Sequence, residues 1–259
     1  TKFVAQGGDW GDAVSEQIAA LRDEDWAIRG EAAGLLGTFK DPRAVVPLVS
    51  LLRDEDRSVR EAAIEALRAI GTPAVETVGI CLAEPDLSVQ ESASAILAVI
   101  ADERVLAPLI QALHSDDWIV RMHAAKALGR VRNTDTVKPL IPLLQDKVKA
   151  VREEAAAALA AIGNAAIPSL VKALQHEDWL VRLHAVESLG KAKSKQAVEP
   201  LLSVLFNDRD SAVREDVVRA LGEIGDPEAV DYLFTAMREP GLRTPAVEAL
   251  GRIRDRRAV

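Results

Sequence analysis

The sequence predicts an all-α protein, a right-handed α-solenoid of about eight stacked helix-turn-helix repeats with a period of about 31 residues. The first observation is a recurring arginine, found at Arg29, Arg60, Arg121, Arg152, Arg182 and Arg214, with Gln90 in the third position and Arg243 in the eighth. The second is an aspartate four residues before it, found at Asp25, Asp56, Asp86, Asp117, Asp178 and Asp210. A fixed period of this size is typical of stacked helical hairpins, each contacting only its neighbours.

We expect these repeats to form one array over residues 1–259. The expected repeats span 12–40, 41–71, 72–101, 102–132, 133–163, 164–193, 194–225 and 226–254. Residues 255–259 resemble the start of a further, incomplete repeat, and no polar capping repeat follows. An array without such a cap is expected either to be truncated or to have its end covered by another chain or molecule.

Residues 104–131 illustrate how one repeat is built. A first apolar stripe at helical spacing predicts an A helix and consists of Val105, Leu106, Leu109, Ile110 and Leu113. After a polar turn, a second stripe predicts a B helix and consists of Val120, Ala124, Ala125, Ala127 and Leu128. Asp117 stands at the N-cap position of this B helix, where its carboxylate can accept bonds from the free first-turn amides. Gly129 indicates either close packing or the end of the helix.

Two features are expected to vary the repeat. Repeat five has Val148 in the capping position, so its B helix is expected to be less well capped, with Asp146 as the nearest substitute. A proline recurs at or just past the first turn of the A helices, where it removes a backbone donor and is expected to bend or loosen the helix start. These prolines are Pro47, Pro108, Pro139, Pro168 and Pro200.

The composition favours closely packed helices over a nucleic-acid-binding surface. Apolar residues make up 49% of the chain and aromatic residues only 3%, and the formal net charge is −8. An acidic chain repels a phosphate backbone unless it carries a local basic stripe. We interpret the basic C-terminal residues as the solvated end of the last repeat, since no aromatic residues are interleaved with them; they are Arg252, Arg254, Arg256 and Arg257.

The single cysteine and the apolar runs also limit which functions are expected. Cys81 lies in an apolar helical run and is interpreted as a small buried hydrophobe and not as a nucleophile. No run is expected to span a membrane, and no signal-peptide pattern opens the chain. We therefore expect a cytoplasmic protein without membrane contact.

Two phrases carry a family resemblance: Asp-Pro-Arg-Ala-Val-Val-Pro-Leu-Val at 41–49 and Asp-Asp-Trp-Ile-Val-Arg-Met-His-Ala-Ala-Lys-Ala-Leu-Gly at 116–129. They resemble the HEAT-repeat superfamily, in its short-period branch of phycobilisome-lyase HEAT-like repeats. The resemblance covers roughly residues 12 to 255. It implies that A helices line the convex side and B helices a concave groove. It also implies that Asp117, Arg121 and their equivalents are structural and bond between neighbouring repeats, a pattern from which Gln90 departs.

Tryptophan breaks the repeat pattern at one position, three residues before the arginine. Trp26, Trp118 and Trp179 occupy it, and the other repeats have Arg57, Leu87, Lys149, Ser211 and Pro240 there. A core position would be apolar in every repeat, so this one is expected at the surface, where large aromatic residues indicate contact with a partner. The alternative is that each tryptophan only covers the neighbouring hairpin turn.

The histidines single out repeats four and six, which contain His114, His123, His176 and His184. With charged residues of repeat five between them, they predict a trough with Trp/His walls and a charged floor. The predicted partner-binding residues of the concave face are Trp26, Trp118, Met122, His123, Lys149, Glu153, Glu154, Trp179, Leu183 and His184. An acidic rim would favour a basic partner; it consists of Glu61, Glu91, Glu153, Glu154, Glu187, Glu215 and Asp216.

Three functions remain as hypotheses. The first is a non-enzymatic scaffold that binds a peptide or protein partner in the concave groove, with no catalytic residue, metal or cofactor. The resemblance implies the second, a phycobilin lyase or chaperone-lyase-like protein that binds a bilin.

The third hypothesis is a metal-dependent enzyme. Iron-dependent hydroxylases of the resembling family carry repeated His-Glu pairs on B helices, whereas the matching positions here hold Met122-His123 and Leu183-His184. The only His-Glu pair, His176-Glu177, lies in a turn. Pairing Glu154 with either His123 or His184 gives two metal ligands and no obvious third.

Overall fold

The computed structural model describes residues 10–100 and 102–255, and these are helical throughout, without strands. The basic residues Arg256 and Arg257 lie outside the described residues. The chain divides into two compact units, residues 1–127 (unit 1) and residues 128–259 (unit 2). We describe each unit by itself.

Unit 1 alternates short A helices with B helices that are mostly 14 residues long. The A helices are α1 (Trp10–Ala20), α3 (Val45–Ser50), α5 (Val75–Ile80) and α7 (Leu106–Ala112). The B helices are α2 (Trp26–Phe39), α4 (Arg57–Ile70), α6 (Leu87–Ile100) and α8 (Trp118–Val131), and the last of these runs across the boundary into unit 2. The predicted alternation of two helices per repeat is confirmed.

Unit 2 repeats the same alternation. Its A helices are α9 (Val137–Leu140), α11 (Ile167–Ala173), α13 (Val198–Asn207) and α15 (Val230–Ala236). Its B helices are α10 (Lys149–Ile162), α12 (Trp179–Ala192), α14 (Ser211–Ile224) and α16 (Arg243–Ile253). Apart from α1, each A helix follows a 3₁₀ turn, and the recurring proline is its second or third residue, as in α7 with Pro108. There the missing amide proton costs no regular helical bond.

The predicted aspartate caps are present. Asp56 has the extended backbone of an N-cap (φ −84, ψ 128), and its carboxylate accepts the amide of Ser58 at 2.7 Å. Asp117 accepts the amide of Ile119 at 2.8 Å in the same way. In repeat five Val148 makes no side-chain cap bond, and the carboxylate of Asp146 accepts the Val148 amide at 2.9 Å. The expected weak cap is therefore observed, whereas Asp146 bonds the amide of the cap residue itself, as Asp54 does with Asp56, and does not replace the missing cap.

The recurring arginine ties its own hairpin together and, in several repeats, also ties it to the next hairpin. The guanidinium of Arg29 donates to the carbonyl oxygen of Asp23, six residues earlier, at 2.9 Å. Its other nitrogens donate to both carboxylate oxygens of Asp54 in the next repeat, each at 2.8 Å. Arg182 pairs with Asp208 in the same two-pronged manner, at 2.7 and 3.0 Å. The acid in this inter-repeat bond is therefore not the capping aspartate but the one two residues before it.

Gln90 preserves this connection in neutral form. Its Nε2 donates to the carbonyl of Glu84 at 2.5 Å, and its Oε1 accepts the hydroxyl of Ser115 at 3.3 Å. Ser115 lies 25 residues after Gln90, the same separation as between Arg29 and Asp54. Gln90 replaces the arginine and Ser115 replaces the aspartate of the charged pair, so neither position holds an unpaired charge.

Gly129 and the equivalent glycines of other B helices serve close packing and not helix termination. A Cβ built on Gly129 would lie 2.6 Å from the Cα of Ala158 on the next B helix, and one on Gly37 would lie 2.8 Å from the Cα of Ala66. Such distances leave no room for a side chain. Gly190 and Gly222 repeat the contact, so glycine sets the close approach of neighbouring B helices.

The core is made of small aliphatic side chains on the facing sides of the helices. The single cysteine, Cys81, is buried as predicted, and burial raises the pKa of its thiol.

The run 149–173 differs from the expectation about membrane spans, because its length and hydropathy alone would suffice to cross a membrane. It comprises α10, a 3₁₀ turn and α11, with Gly163 at φ 77 between the helices. Apolar residues of this run pack inside unit 2, where Ala155, Ala156 and Leu159 are fully buried.

Candidate functional site

The predicted site residues occupy three rows of the B helices: the first, fifth and sixth residues. We call the surface formed by these rows the B face. In α8 the rows hold Trp118, Met122 and His123, and in α12 they hold Trp179, Leu183 and His184. Because residues four apart share one side of a helix, the first and fifth rows lie one above the other.

The tryptophans are exposed, as are two other large apolar residues of these rows, Leu87 and Val247. Trp26, Trp118 and Trp179 are 54%, 40% and 43% exposed, respectively, and each is the first residue of its B helix. Met122 and Leu183, one turn further on, are half-buried. The indoles therefore present apolar area to solvent at the hairpin turn, with a half-buried apolar residue beside two of them.

In repeat five the same rows are charged. Lys149 begins α10, and its Nζ lies 3.2 Å from the carboxylate of Glu153, with both side chains largely exposed. Glu154, in the sixth row, is half-buried. Exposed pairs of this kind contribute little to stability, so these side chains are free to reorient toward a ligand.

The two B-face histidines have opposite environments although they occupy equivalent positions. His184 is 6% exposed, its Nε2 accepts a bond from Nε of Arg152 at 3.2 Å, and its Nδ1 lies 2.9 Å from Glu187. His123 is only half-buried, and its Nδ1 is buried without a hydrogen-bond partner. His184 is therefore a structural residue inside unit 2 and is not offered to a partner as the sequence suggested, whereas His123 remains available.

The remaining two histidines lie in the turns before α8 and α12. His114 is exposed. His176 is also exposed, and its Nδ1 accepts the amide of Asp178 at 3.1 Å. His176 thus helps to shape the turn that leads to Trp179.

The predicted trough is distributed over both units. Trp118, Met122 and His123 belong to unit 1, and the predicted floor and second wall belong to unit 2. The trough as a whole remains a prediction, and the B face of each unit is considered separately below.

Unit 2 contains an ionic cluster that the sequence did not reveal. It extends over three B helices and includes Arg152 on α10, the histidine–acid–lysine series of α12, and the charged residues of α14. Around Glu187, the bond from His184 and the ammonium of Lys191 at 2.6 Å hold the carboxyl pKa at about 2, against partial burial. On α14, burial and the negative charge of Glu187 raise the pKa of Asp216 to about 6. The sequence did not signal the cluster as a whole, because only the His184–Glu187–Lys191 series follows helical spacing, and Arg152 and Asp216 come from other B helices.

A second carboxyl pair lies in unit 1. Burial raises the pKa of Glu91, and its hydrogen bond with Asp117 raises it further. The pKa of this acid in the predicted rim is thus higher than that of an ordinary glutamate, because burial and the neighbouring Asp117 both disfavour its ionised form.

The residues present do not fit a metal centre. Within the ranges 10–100 and 102–255, no three His, Cys, Asp or Glu side chains converge closely enough to hold an ion. The Nε2 of His184, which would be a candidate ligand atom, faces the cationic side chain of Arg152. A guanidinium in that place repels a metal ion.

The comparison with protein families identifies the class. Residues 14–98, 75–160, 106–176, 137–205 and 198–259 match the family described as HEAT repeats. These ranges overlap and cover nearly the whole chain, so the chain belongs to the HEAT-repeat family.

Among characterised relatives, two kinds of protein are similar. Deoxyhypusine hydroxylase-B from Oryza sativa subsp. japonica is 30% identical over 239 residues, which cover 89% of this chain and 78% of the hydroxylase. Phycocyanobilin lyase subunit alpha from Nostoc sp. (strain PCC 7120 / SAG 25.82 / UTEX 2576) is 32% identical over 244 residues, covering 90% of this chain and 82% of the lyase subunit.

Solved structures support the fold alone. A chain in the structure of Kap95p with RanGDP superposes with a TM-score of 0.67 at 16% identity, over 95% of this chain and 41% of that chain. At such identity the likeness concerns helical-repeat architecture and carries no information about the ligand.

Proposed function

We propose that this chain is a non-enzymatic interaction scaffold that binds a peptide or protein partner on the exposed side of its B helices. The observation that carries this proposal is the exposure of Trp26, Trp118 and Trp179 at one position that is polar in several other repeats. Large aromatic residues that are exposed in the free protein are typical anchors of interfaces.

The charge of the B face indicates the chemistry of the partner. Acidic residues predominate in its fifth and sixth rows, which include Glu61, Glu91, Glu153, Glu154, Glu215 and Asp216. The whole chain has a net charge of −8. Electrostatic complementarity therefore favours a partner with a basic binding segment and predicts association that weakens as salt increases.

The test begins with identification of the partner by affinity capture from the source cells, followed by calorimetric titration with the purified partner. Trp118→Ala and Trp179→Ala should each weaken binding by tenfold or more, about 1.4 kcal/mol. The midpoint of thermal unfolding should change little, because each indole remains at least 40% exposed. Ser211→Ala, at the same helix position, is the matched control for an exposed residue without an aromatic ring.

Two results would contradict the scaffold proposal. One is unchanged affinity in both tryptophan variants. The other is a fall in thermal stability comparable to that of a core substitution, which would assign the tryptophans to covering the hairpin turns.

A second candidate function is a bilin lyase or chaperone-lyase-like protein. It is supported by the similarity to phycocyanobilin lyase subunits, including that of Picosynechococcus sp., which is 30% identical over 249 residues. An exposed aromatic face is chemically compatible with a flat conjugated ligand. Co-expression with a bilin source should then yield purified protein with visible absorbance, and a colourless product that binds no added bilin would exclude this function.

The similarity to deoxyhypusine hydroxylases gives less support to a metal-dependent reaction of this chain, because the described residues provide no ligand set for an ion. Elemental analysis of purified protein is expected to show no stoichiometric transition metal.

A further inference from the structure

Unit 1 contains two buried side-chain nitrogens without a hydrogen-bond partner, Nε of Arg68 and Nδ1 of His123. Among the described residues no other buried side-chain nitrogen or oxygen is in this condition. Leaving such a group unpaired costs about 1–3 kcal/mol. Because Nε of Arg68 is always a donor, an acceptor is missing there, and Nδ1 of His123 lacks a partner of either kind.

The two residues come from B helices on either side of α6. Arg68 lies on α4, at the position where other repeats have glycine, and His123 lies on α8. From α4, Arg68 reaches toward the backbone of α6, where Nη2 donates to the carbonyl of Ala95 at 3.4 Å. The side chains of Ser92 and Ala95 on α6, the helix between the two basic residues, are small.

All charged groups that act on His123 are positive. Burial lowers the pKa of its imidazole, and the charges of Lys126 and Arg68 lower it further. The nearest acids are engaged elsewhere: Glu65 binds Nη1 of Arg68 at 2.5 Å, and Glu91 shares a hydrogen bond with Asp117. Arg68, His123 and Lys126 thus form a basic cluster on an otherwise acidic face.

At the equivalent position in unit 2, the histidine has an acid as its partner. There His184 is followed three residues later by Glu187, whose carboxylate binds the imidazole. In unit 1 the residue three positions after His123 is Lys126. The acceptor that unit 2 supplies from its own chain is replaced in unit 1 by a second cation.

We infer that Arg68, His123 and Lys126 form an oxyanion-binding site, in which a carboxylate or phosphate group supplied by a ligand accepts bonds from the guanidinium and the imidazole. Charge-assisted bonds of this kind are short and strong. The site lies in unit 1, requires no residue of the tryptophan row, and goes beyond the scaffold function, so it can be tested without a partner.

The probes are inorganic phosphate and glutarate, each titrated against the full chain while the four histidine rings are followed by NMR. His123→Gln assigns the His123 ring. Binding should shift the His123 resonances saturably and raise the pKa of His123, because a bound anion favours the imidazolium. A response to one probe and not to the other would identify the oxyanion as phosphate or carboxylate.

Matched variants separate a site from a nonspecific salt effect. Lys126→Ala should lower the affinity for the responding anion by about threefold or more, and Arg68→Ala should lower it further. Lys172→Ala, at an exposed lysine on α11 of unit 2, should leave it unchanged. The His184 ring should not respond, since both its nitrogens are already bonded.

The inference is overturned if neither anion shifts His123 saturably, which would mean that a bound water alone satisfies the two nitrogens. It is also overturned if Lys126→Ala and Lys172→Ala bind the anion equally. Should Arg68→Ala fail to fold, the lysine pair and the ring shifts still decide the question.

Discussion

Asp216 and Glu187 carry opposite pKa shifts although they lie on neighbouring B helices. Burial and the charge of Glu187 raise the pKa of Asp216 to about 6, and the bonds from His184 and Lys191 lower that of Glu187 to about 2. The folded protein therefore binds a proton at Asp216 more tightly than the unfolded chain does, and at Glu187 less tightly. The two residues must affect stability in opposite directions.

Replacement of each acid by its amide should reveal this opposition. Asp216→Asn should stabilise the protein by about 1–3 kcal/mol above pH 6, and the gain should vanish as the pH falls toward the ordinary carboxyl range near 4. Glu187→Gln should destabilise it by a similar amount at pH 7, and that loss should shrink as the pH falls from about 4.5 toward 2. Chemical denaturation between pH 4 and 8 measures the Asp216 effect and the neutral-pH effect of Glu187→Gln. Equal signs for both variants at pH 7 would contradict the assignment.

At the scale of the helical elements, glycine determines how closely neighbouring B helices pack. Gly222 on α14 faces the backbone of Ala249 on α16, and a Cβ there would lie 2.7 Å from the Ala249 Cα. Gly251 occupies the equivalent position one repeat later, and a Cβ there would meet nothing within 4 Å. The same sequence position thus has a packing role in one repeat and none in the other.

This contrast gives a matched pair of substitutions. Gly222→Ala should destabilise the protein by about 1–3 kcal/mol, because α14 and α16 must move apart. Gly251→Ala should be neutral or stabilise by up to about 1 kcal/mol, because alanine favours the helix and meets no neighbour. Thermal unfolding of both variants measures the difference, and equal losses would show that the glycines matter only through helix propensity.

At the scale of the whole molecule, each repeat is held to its neighbour by local contacts. The Arg182–Asp208 pair joins repeats six and seven, with side chains only 7% and 5% exposed. A nearest-neighbour array distributes the loss of such a contact over the adjoining repeats and not over the entire chain.

Hydrogen exchange can test this locality. Arg182→Ala leaves the buried carboxylate of Asp208 without its ion-pair partner, which typically costs about 3–5 kcal/mol. Amides of α12, α13 and α14 should therefore lose protection. Amides of α2 and α4 in unit 1 should keep theirs. The control is Arg209→Ala, since Arg209 is exposed and bonds only the carbonyl of Glu177. Uniform loss of protection along the chain would indicate a cooperative globular unit instead.

Several features of the site were predictable because they depend on local periodicity. The exposure of the tryptophan row followed from comparing one position across repeats, and the capping role of Asp117 followed from its distance to the apolar stripe. The weak cap at Val148 followed in the same way. These inferences need only the spacing of residues within one helix and its turn.

The sequence by itself determined the class of fold and the hairpin that repeats, since helical period, caps and breakers act over a few residues. Only the tertiary structure decided which histidine is buried, why the glycines recur and where charges gather. His123 and His184 occupy equivalent positions, yet Arg152 and Glu187 enclose one and Arg68 and Lys126 approach the other. Glu187 and Lys126 follow their histidines by three residues on the same helix, whereas Arg152 and Arg68 come from other repeats and are placed beside the histidines by the stacking of helices.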